Sequence, residues 1–207
     1  MRDALTITKT LLDGGTIDYA GSVFEAKSVK LEFECPHVPV YVGTYASSTK
    51  MLELAATLAD GVILMWTNPQ WVKKAVKVIE NKARSVGRDP STIDVAAYLI
   101  FSVDEDQAKA KTVCEQVLKV YEPRLRDVWM KHSLIPETTS DHGNELQRPS
   151  GANLVESIAI AGTPRYCIER LEEYSKAGLK TPIFYQILGP NRNKAIKVIA
   201  EEIIPSF

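Results

Sequence analysis

The segment from 43 to 48 carries the residues best able to do chemistry in this chain. It places Gly43, Thr44, Tyr45, Ser47 and Ser48 directly after an apolar run and before an amphipathic stretch. Backbone N–H groups at a helix N-terminus, together with hydroxyls, favour an anionic ligand such as a phosphate. Glycine also permits close approach of the backbone to a ligand. The alternative is a tight strand-to-helix turn in which Ser47 or Ser48 caps the helix, a role that contributes about 1 kcal/mol.

Two further positions are candidates for contact with a ligand. Trp66 ends a second apolar run, where its side chain either packs against a flat ring or a substrate, or belongs to the core. Gly162-Thr163 precedes another helical pattern, and either binds a phosphate, as in many barrels, or forms an ordinary helix cap.

Other chemistries find little support in the sequence. The three histidines have no metal-ligand spacing, so we expect no metal site: His37, His132 and His142. A G-x-S-x-G nucleophile motif is absent from the sequence. The three cysteines show no CxxC spacing, and we expect reduced structural thiols in a cytoplasmic protein: Cys35, Cys114 and Cys167.

Composition narrows the class of partner. A chain of 207 residues is long enough for one core, and we expect a single domain over residues 1–207. Its net charge of −1 argues against a nucleic acid or an anionic membrane as partner. The longest apolar run, Val95 to Phe101, is too short to cross a bilayer. The remaining expectation is a small-molecule substrate.

Apolar periodicity predicts a repeating order of strands and helices. Strands are predicted at Val38–Val42, Gly61–Trp66, Ile93–Val103 and Pro182–Leu188, with short ones at Thr16–Tyr19 and Val29–Phe33. Helices are predicted at residues 2–12, Thr49–Ala59, Asn68 to Gly87, Glu105–Tyr121, Thr163 to Gly178 and Asn193–Ile204. Residues 122–151 are predicted to be irregular, as a functional lid or a subunit contact.

This order indicates an α/β fold with a parallel sheet. Four strand–helix units are half of a TIM (β/α)8 barrel, which typically needs about 250 residues. An open doubly wound sheet is the weaker alternative, because no GxGxxG motif follows the first strand and the helices carry a single apolar stripe. We therefore predict the C-terminal half of a barrel. Its open strand edges must be covered, so we expect a homo-oligomer or pairing with a separate N-terminal half.

Four segments resemble the bacterial luciferase-like monooxygenase superfamily: Val38 to Thr44, Leu58 to Leu64, Gly87 to Pro90 and Gly162 to Gly178. The most similar branch is the deazaflavin-dependent group that includes methylenetetrahydromethanopterin reductase. The resemblance extends over nearly the whole chain, but only onto the second half of the family's eight-unit barrel.

The resemblance implies an oxidoreductase that transfers hydride with coenzyme F-420, a deazaflavin, or with FMN. In the family, the loop after the fifth strand holds the cofactor phosphate, which implies that role for Gly43, Thr44, Tyr45, Ser47 and Ser48. Trp66 matches a residue that approaches the cofactor ring. The family's first four strands have no counterpart here, so no catalytic residue is named. The alternatives are an FMN-dependent monooxygenase and a catalytically inactive binding or assembly protein.

Overall fold

A computed structural model of the chain describes residues 1–131, 151–185 and 189–206. Its strands are β1 (Ile17–Ala20), β2 (Glu25–Val29), β3 (Tyr41–Tyr45), β4 (Gly61–Met65), β5 (Asp94–Val103), β6 (Ala159–Gly162) and β7 (Thr181–Tyr185). Its helices are α1 (Arg2–Leu12), α2 (Thr49–Leu58), α3 (Pro69–Ser85), α4 (Gln107–Lys131), α5 (Gly151–Ile158), α6 (Pro164–Lys176) and α7 (Arg192–Val198). Within these ranges, no helix has the length and apolar character that a membrane span needs.

Five strands form one parallel sheet in which β3, β4 and β5 are neighbours in that order. The other edge of β5 pairs with β7 along residues 96–100 and with β6 along residues 100–103. The predicted α/β class with a parallel sheet is therefore confirmed, and each of the four predicted strands overlaps one of its members. The short strand β6 is an addition that the sequence pattern did not indicate.

Helices cover one side of this sheet. Alternate strand residues such as Val42, Leu64 and Phe101 point to that side and are buried in one cluster with residues of α2, α3 and α6. The ring of Phe101 stacks on that of Phe184 with centroids 4.2 Å apart. Burying one such side chain contributes about 1.5–3 kcal/mol, so this layer provides most of the stability of the sheet.

The opposite side of the sheet is covered mainly at the carboxyl ends of its strands, where α4 and α5 pack. Away from these two helices, several residues on this side are only half-buried or exposed, with Tyr41 36% and Tyr185 40% exposed. We call this surface the open face, and it comprises Tyr41, Gly43, Ile63, Tyr98, Ile183 and Tyr185. A parallel sheet is normally buried on both sides.

A hydrogen-bond network ties three strands together at the amino end of the sheet. The Tyr41 hydroxyl of β3 reaches across β4 and donates to Asp94 of β5 at 2.8 Å. The hydroxyl of Thr181 in β7 donates to the same carboxylate at 3.0 Å. The hydrogen bond to Asp94 raises the pKa of Tyr41. The crossing is possible because Gly61 has no side chain: a Cβ there would lie 2.3 Å from the Tyr41 ring.

Asp60 is the second anchor of this edge. Both carboxylate oxygens accept from Lys9 of α1 at 2.7 Å, and one accepts from the backbone N–H of Val40 at 2.8 Å. Burial alone would raise the pKa of Asp60, but these hydrogen bonds and the charge of Lys9 outweigh it and lower the pKa. The carboxylate thus joins α1, β3 and β4.

Some predicted boundaries are wrong. Strand β3 begins at Tyr41 rather than Val38 and continues through Tyr45, because Gly43 pairs with Ile63 and Tyr45 with Met65. The predicted short strand Val29–Phe33 lies instead at Glu25–Val29. Buried Asp3 accepts from the backbone N–H groups of Val23 and Phe24, which places the hairpin turn before Glu25 and lowers the pKa of Asp3.

Two further differences concern helices. Helix α4 continues to Lys131 and α5 begins at Gly151, so residues 122–131 and 151 are helical rather than irregular. The rest of that predicted insertion, 132–150, lies outside the described residues, as do residues 186–188 of the predicted last strand. Helix α7 ends at Val198, and a π-helical turn follows at Ile199–Ile203.

Replacing Gly61 by alanine is expected to destabilise the chain by about 1–3 kcal/mol. The new methyl group displaces the Tyr41 ring and breaks its hydrogen bond to Asp94. Urea unfolding monitored by circular dichroism measures the loss. The matched control is Gly43→Ala, since a Cβ at Gly43 meets no atom within 4 Å. An equal loss in both variants would contradict the steric argument.

Replacing Asp60 by asparagine is expected to cost about 1–2 kcal/mol at pH 7. Because folding lowers the pKa of Asp60 below its ordinary 3.8, its stabilisation is complete above that value and disappears as the pH falls through the folded-state pKa. The difference between wild type and variant in urea unfolding should therefore narrow from pH 7 to pH 3. Glu80→Gln, in the exposed 3.3 Å pair with Arg84, serves as control and should cost less than about 0.5 kcal/mol.

Candidate functional site

The two predicted contact segments meet at the carboxyl edge of the sheet. Strands β3 and β4 are in register to their last residues, Tyr45 opposite Met65. The turn from Ala46 to Ser48 and the residue Trp66 therefore leave the sheet at the same level. In barrels of parallel strands this edge carries the functional loops.

The strand positions of the site divide between the two sides of the sheet. Gly43 is exposed on the open face with no atom within 4 Å of a Cβ placed there, so the backbone at this point is accessible. Tyr45 is half-buried at the border of the cluster formed with α4 and α5. Thr44 is buried, and its hydroxyl lies 3.4 Å from the carbonyl oxygen of Tyr45, to which it donates. Strand alternation directs the Thr44 side chain away from Gly43 and Tyr45.

The two serines at the start of α2 do not perform the side-chain capping that the alternative interpretation expected. Ser48 occupies the N-cap position, yet its side chain makes no capping hydrogen bond. The backbone carbonyl of Ser48 instead accepts from Met51 and Leu52, each at 3.0 Å. The hydroxyl oxygen of Ser47 is buried and has no hydrogen-bond partner among the described residues. Such an unsatisfied group is costly unless a ligand or water completes it.

The charge at this helix start favours an anion. The first turn of α2 contains no acidic residue, and Lys50 lies exposed within it. The N-terminal end of a helix also carries a partial positive charge from its backbone dipoles. Gly43, the Ser47 hydroxyl and the start of α2 therefore fit a phosphate group.

Trp66 has a left-handed backbone conformation, with φ of 49°. Such a conformation costs a non-glycine residue about 1–2 kcal/mol. Simple alternation after Leu64 would direct Trp66 to the helix-covered side. Instead the indole is 9% exposed and belongs to the cluster with Ile100, on the side that α4 covers. Its ring lies 5.3 Å from that of Tyr121.

The turn after Trp66 is held by a contact that sequence reasoning missed. The hydroxyl of Tyr174 in α6 donates to the backbone carbonyl of Thr67 at 2.9 Å. Tyr174 is fully buried, and burial raises its pKa, so the hydroxyl stays protonated. Asn68 then caps α3 by accepting from the N–H of Trp71 at 3.0 Å. No local signal in the sequence identifies a partner 107 residues away.

The third candidate, Gly162-Thr163, forms a helix cap. The Thr163 hydroxyl accepts from the N–H of Tyr166 at 3.3 Å. The Tyr166 ring fills the space beside Gly162, where a Cβ would lie 2.6 Å from it. The start of α6 is thus occupied by residues of α6 itself.

Neither buried thiol is suited to nucleophilic chemistry. Cys114 and Cys167 are fully buried, and burial raises the pKa of each thiol to about 12. They are therefore protonated at neutral pH, in keeping with a structural role.

A cavity of about 380 Å³ lies at the opposite, amino-terminal edge of the sheet. Its walls include Lys9, Asp60 and Arg88. These charged groups are already bound within the chain: Lys9 to Asp60, and Arg88 to the carbonyl of Ala56 at 3.0 Å. The cavity is separate from the site described above.

Comparison of the chain with known proteins identifies its family. The profile of the luciferase-like monooxygenases matches residues 1–181. The 5,10-methylenetetrahydromethanopterin reductase of Methanolobus tindarius is 34% identical over 214 positions, which cover 99% of this chain and 63% of that protein. The chain thus spans less than two thirds of this relative.

Solved structures agree with this relationship. The coenzyme F-420 dependent tetrahydromethanopterin reductase of Methanopyrus kandleri superposes with a TM-score of 0.72 at 28% identity, over 100% of this chain and 62% of that one. A second solved structure is that of the oxygenating constituent of 3,6-diketocamphane monooxygenase from Pseudomonas putida in complex with FMN. It superposes with a TM-score of 0.67 at 17% identity, over 100% of this chain and 62% of that one, and shows the same fold. With the family profile covering most of its length, the chain belongs to the luciferase-like monooxygenase family.

Proposed function

We propose that this chain forms the cofactor-binding part of an oxidoreductase that transfers hydride between coenzyme F-420 and a small-molecule substrate. The observation that carries the proposal is the similarity, over 99–100% of the chain, to reductases of which one is described as dependent on coenzyme F-420. The deazaflavin, when bound, supplies the hydride chemistry, and the protein contributes binding, orientation and exclusion of water.

In this proposal the carboxyl edge of β3 holds the cofactor phosphate. Gly43 offers accessible backbone, and the Ser47 hydroxyl, which finds no partner among the residues that the structure describes, donates to a phosphate oxygen. Ser48 supplies a hydroxyl that makes no capping hydrogen bond, at a helix start whose first turn has no acidic residue. Thr44 and Tyr45 shape the strand end, with Thr44 contributing through its backbone because its side chain lies on the other side.

Trp66 completes the proposed site as a neighbour of the cofactor ring. Its left-handed backbone directs the indole toward the side of the sheet that carries Gly43 and Tyr45. FMN is the alternative cofactor, since it also carries a phosphate and one solved structure of the same fold contains it.

Titration of the purified chain with coenzyme F-420 and with FMN, followed by quenching of cofactor fluorescence, tests the proposal. We expect saturable binding of coenzyme F-420, and tighter binding of it than of FMN. Turnover is measured with reduced coenzyme F-420 and methylenetetrahydromethanopterin. Binding without turnover would favour a catalytically inactive binding protein, and binding of neither cofactor would overturn the proposal.

Ser47→Ala is expected to weaken cofactor binding by about tenfold, since a hydrogen bond to a charged group contributes about 1.5–3 kcal/mol. The same variant should not lower the unfolding free energy, because the hydroxyl has no hydrogen-bond partner in the described part of the chain. Ser85→Ala is the matched control, since its hydroxyl only donates to the carbonyl of Lys82 at the end of α3. Equal affinity in both variants would exclude Ser47 from the phosphate site.

We also propose that the open face is covered by further strands in the active form, from a second copy or from a separate N-terminal half. Tyr41, Tyr98 and Ile183 lie on this face and are exposed or half-buried. The outer edge of β3 has no strand partner among the described residues. Apolar surface next to an unpaired edge of a parallel sheet favours association.

Sedimentation of the chain is expected to show a dimer or larger species, with Ile183→Glu shifting it toward the monomer because the new charge lies on the open face. Val86→Glu is the matched control, because Val86 is 41% exposed at the end of α3, a helix that packs on the other side of the sheet. A wild-type chain that is monomeric and melts cooperatively would contradict the pairing.

A further inference from the structure

We propose that the hydroxyl of Tyr174 is a positioning group that holds the turn after β4 and so sets the placement of Trp66. The functional meaning of this role rests on the proposed cofactor site, to which Trp66 belongs. Tyr174 itself lies in the buried layer behind the sheet and touches the site only through the backbone of the turn.

The turn is a strained element that needs external support. Trp66 is a bulky residue at φ of 49°, a region that side chains of this kind rarely occupy. Strained backbone of this type persists only where the surroundings determine it. Without the left-handed step, the indole would follow the alternation of β4 onto the side of Leu64.

Three successive residues of the turn are each fixed to a different helix. The Trp66 ring packs on Tyr121 of α4, the Thr67 carbonyl accepts from Tyr174 of α6, and the Asn68 side chain caps α3. The middle contact fixes the backbone directly at the residue after the strained one. The Thr67 carbonyl lies in a buried environment, so loss of its donor leaves an unsatisfied acceptor.

Tyr174 has little freedom to move. Its side chain is 0% exposed in the cluster that contains Leu171 and Cys167 of the same helix. Helix α6 ends beside α3 at Gly178, whose φ of 100° favours glycine and where an added Cβ would lie 3.0 Å from Val76. The hydroxyl therefore donates from a fixed position to the turn. Replacing Tyr174 by phenylalanine would keep the packing and remove only the hydrogen bond.

The test uses a reporter in which Trp66 is the only indole, made by Trp71→Phe and Trp129→Phe in the full chain, which has three tryptophans. We expect Tyr174→Phe to raise the acrylamide quenching constant of Trp66 fluorescence about twofold or more, since a buried indole becomes accessible when its backbone relaxes. The matched control is Cys167→Ala, a buried change on α6 that does not contact the turn. Quenching should stay unchanged in this control.

A double-mutant cycle of unfolding free energies gives a second, independent measurement. Tyr174→Phe should shift the unfolding constant in urea by about fivefold to tenfold in the parent chain. The shift should be smaller in a Trp66→Gly background, because glycine adopts left-handed backbone without strain. Unchanged quenching in Tyr174→Phe, or equal shifts in the two backgrounds, would overturn the positioning role.

Cofactor titration of the same variants separates this inference from the proposed function. Weaker binding in Tyr174→Phe together with raised quenching supports both. If Tyr174→Phe raises the quenching but the parent chain binds neither cofactor, the positioning role is supported and the cofactor site is rejected. Normal quenching in a chain that binds coenzyme F-420 rejects the positioning role alone.

Discussion

The sheet depends on a crossing that only a glycine permits. The Tyr41 side chain of β3 passes over Gly61 of β4 to reach Asp94 of β5, which also accepts from Thr181 of β7. One carboxylate thus joins three strands at their amino ends, and the Tyr41 side chain crosses the fourth, β4. Asp60 adds α1 to the same edge through Lys9. Because this edge fixes the register, the loops at the opposite edge can depart from regular geometry without loss of the sheet.

The loops at the carboxyl edge of the sheet do depart from regular geometry. The features of this edge are individually unfavourable: a tryptophan with left-handed backbone, a buried serine hydroxyl with no hydrogen-bond partner in the ranges that the structure describes, and an N-cap serine whose side chain makes no capping hydrogen bond. The carboxylate anchors Asp60 and Asp94 lie at the amino ends of the strands, and the strained or unsatisfied groups lie at the carboxyl ends. This division is the usual one in barrels of parallel strands, where stability and function occupy opposite ends. The division itself therefore supports the location of the proposed site.

Sequence reasoning succeeded where the determinant is local. The apolar stripe and the Asn68-Pro69 start of α3, the Thr163 cap of α6 and the apolar runs of β4 and β5 are encoded within a few residues. Prediction from the sequence failed where contacts between distant residues determine the structure. The short strand β6 exists because the end of β5 offers it a partner, and β3 extends through Gly43 because β4 continues beside it. The Thr67–Tyr174 hydrogen bond joins segments with no periodic relationship, so no local pattern could indicate it.

The open face includes Gly43, which also belongs to the proposed cofactor site. Hydride transfer requires a site from which water is excluded, and Gly43 now lies on an exposed surface. The residues that would bind a covering strand, such as Tyr41 and Ile183, are on the same face as Gly43. In the proposed function, covering the sheet and excluding water from the cofactor site would therefore be one event, driven by burial of the same apolar surface. The proposed phosphate site near Ser47 lies at the edge of the sheet, so it would be accessible before the face is covered, whereas orientation of a cofactor ring beside Trp66 would depend on the covering.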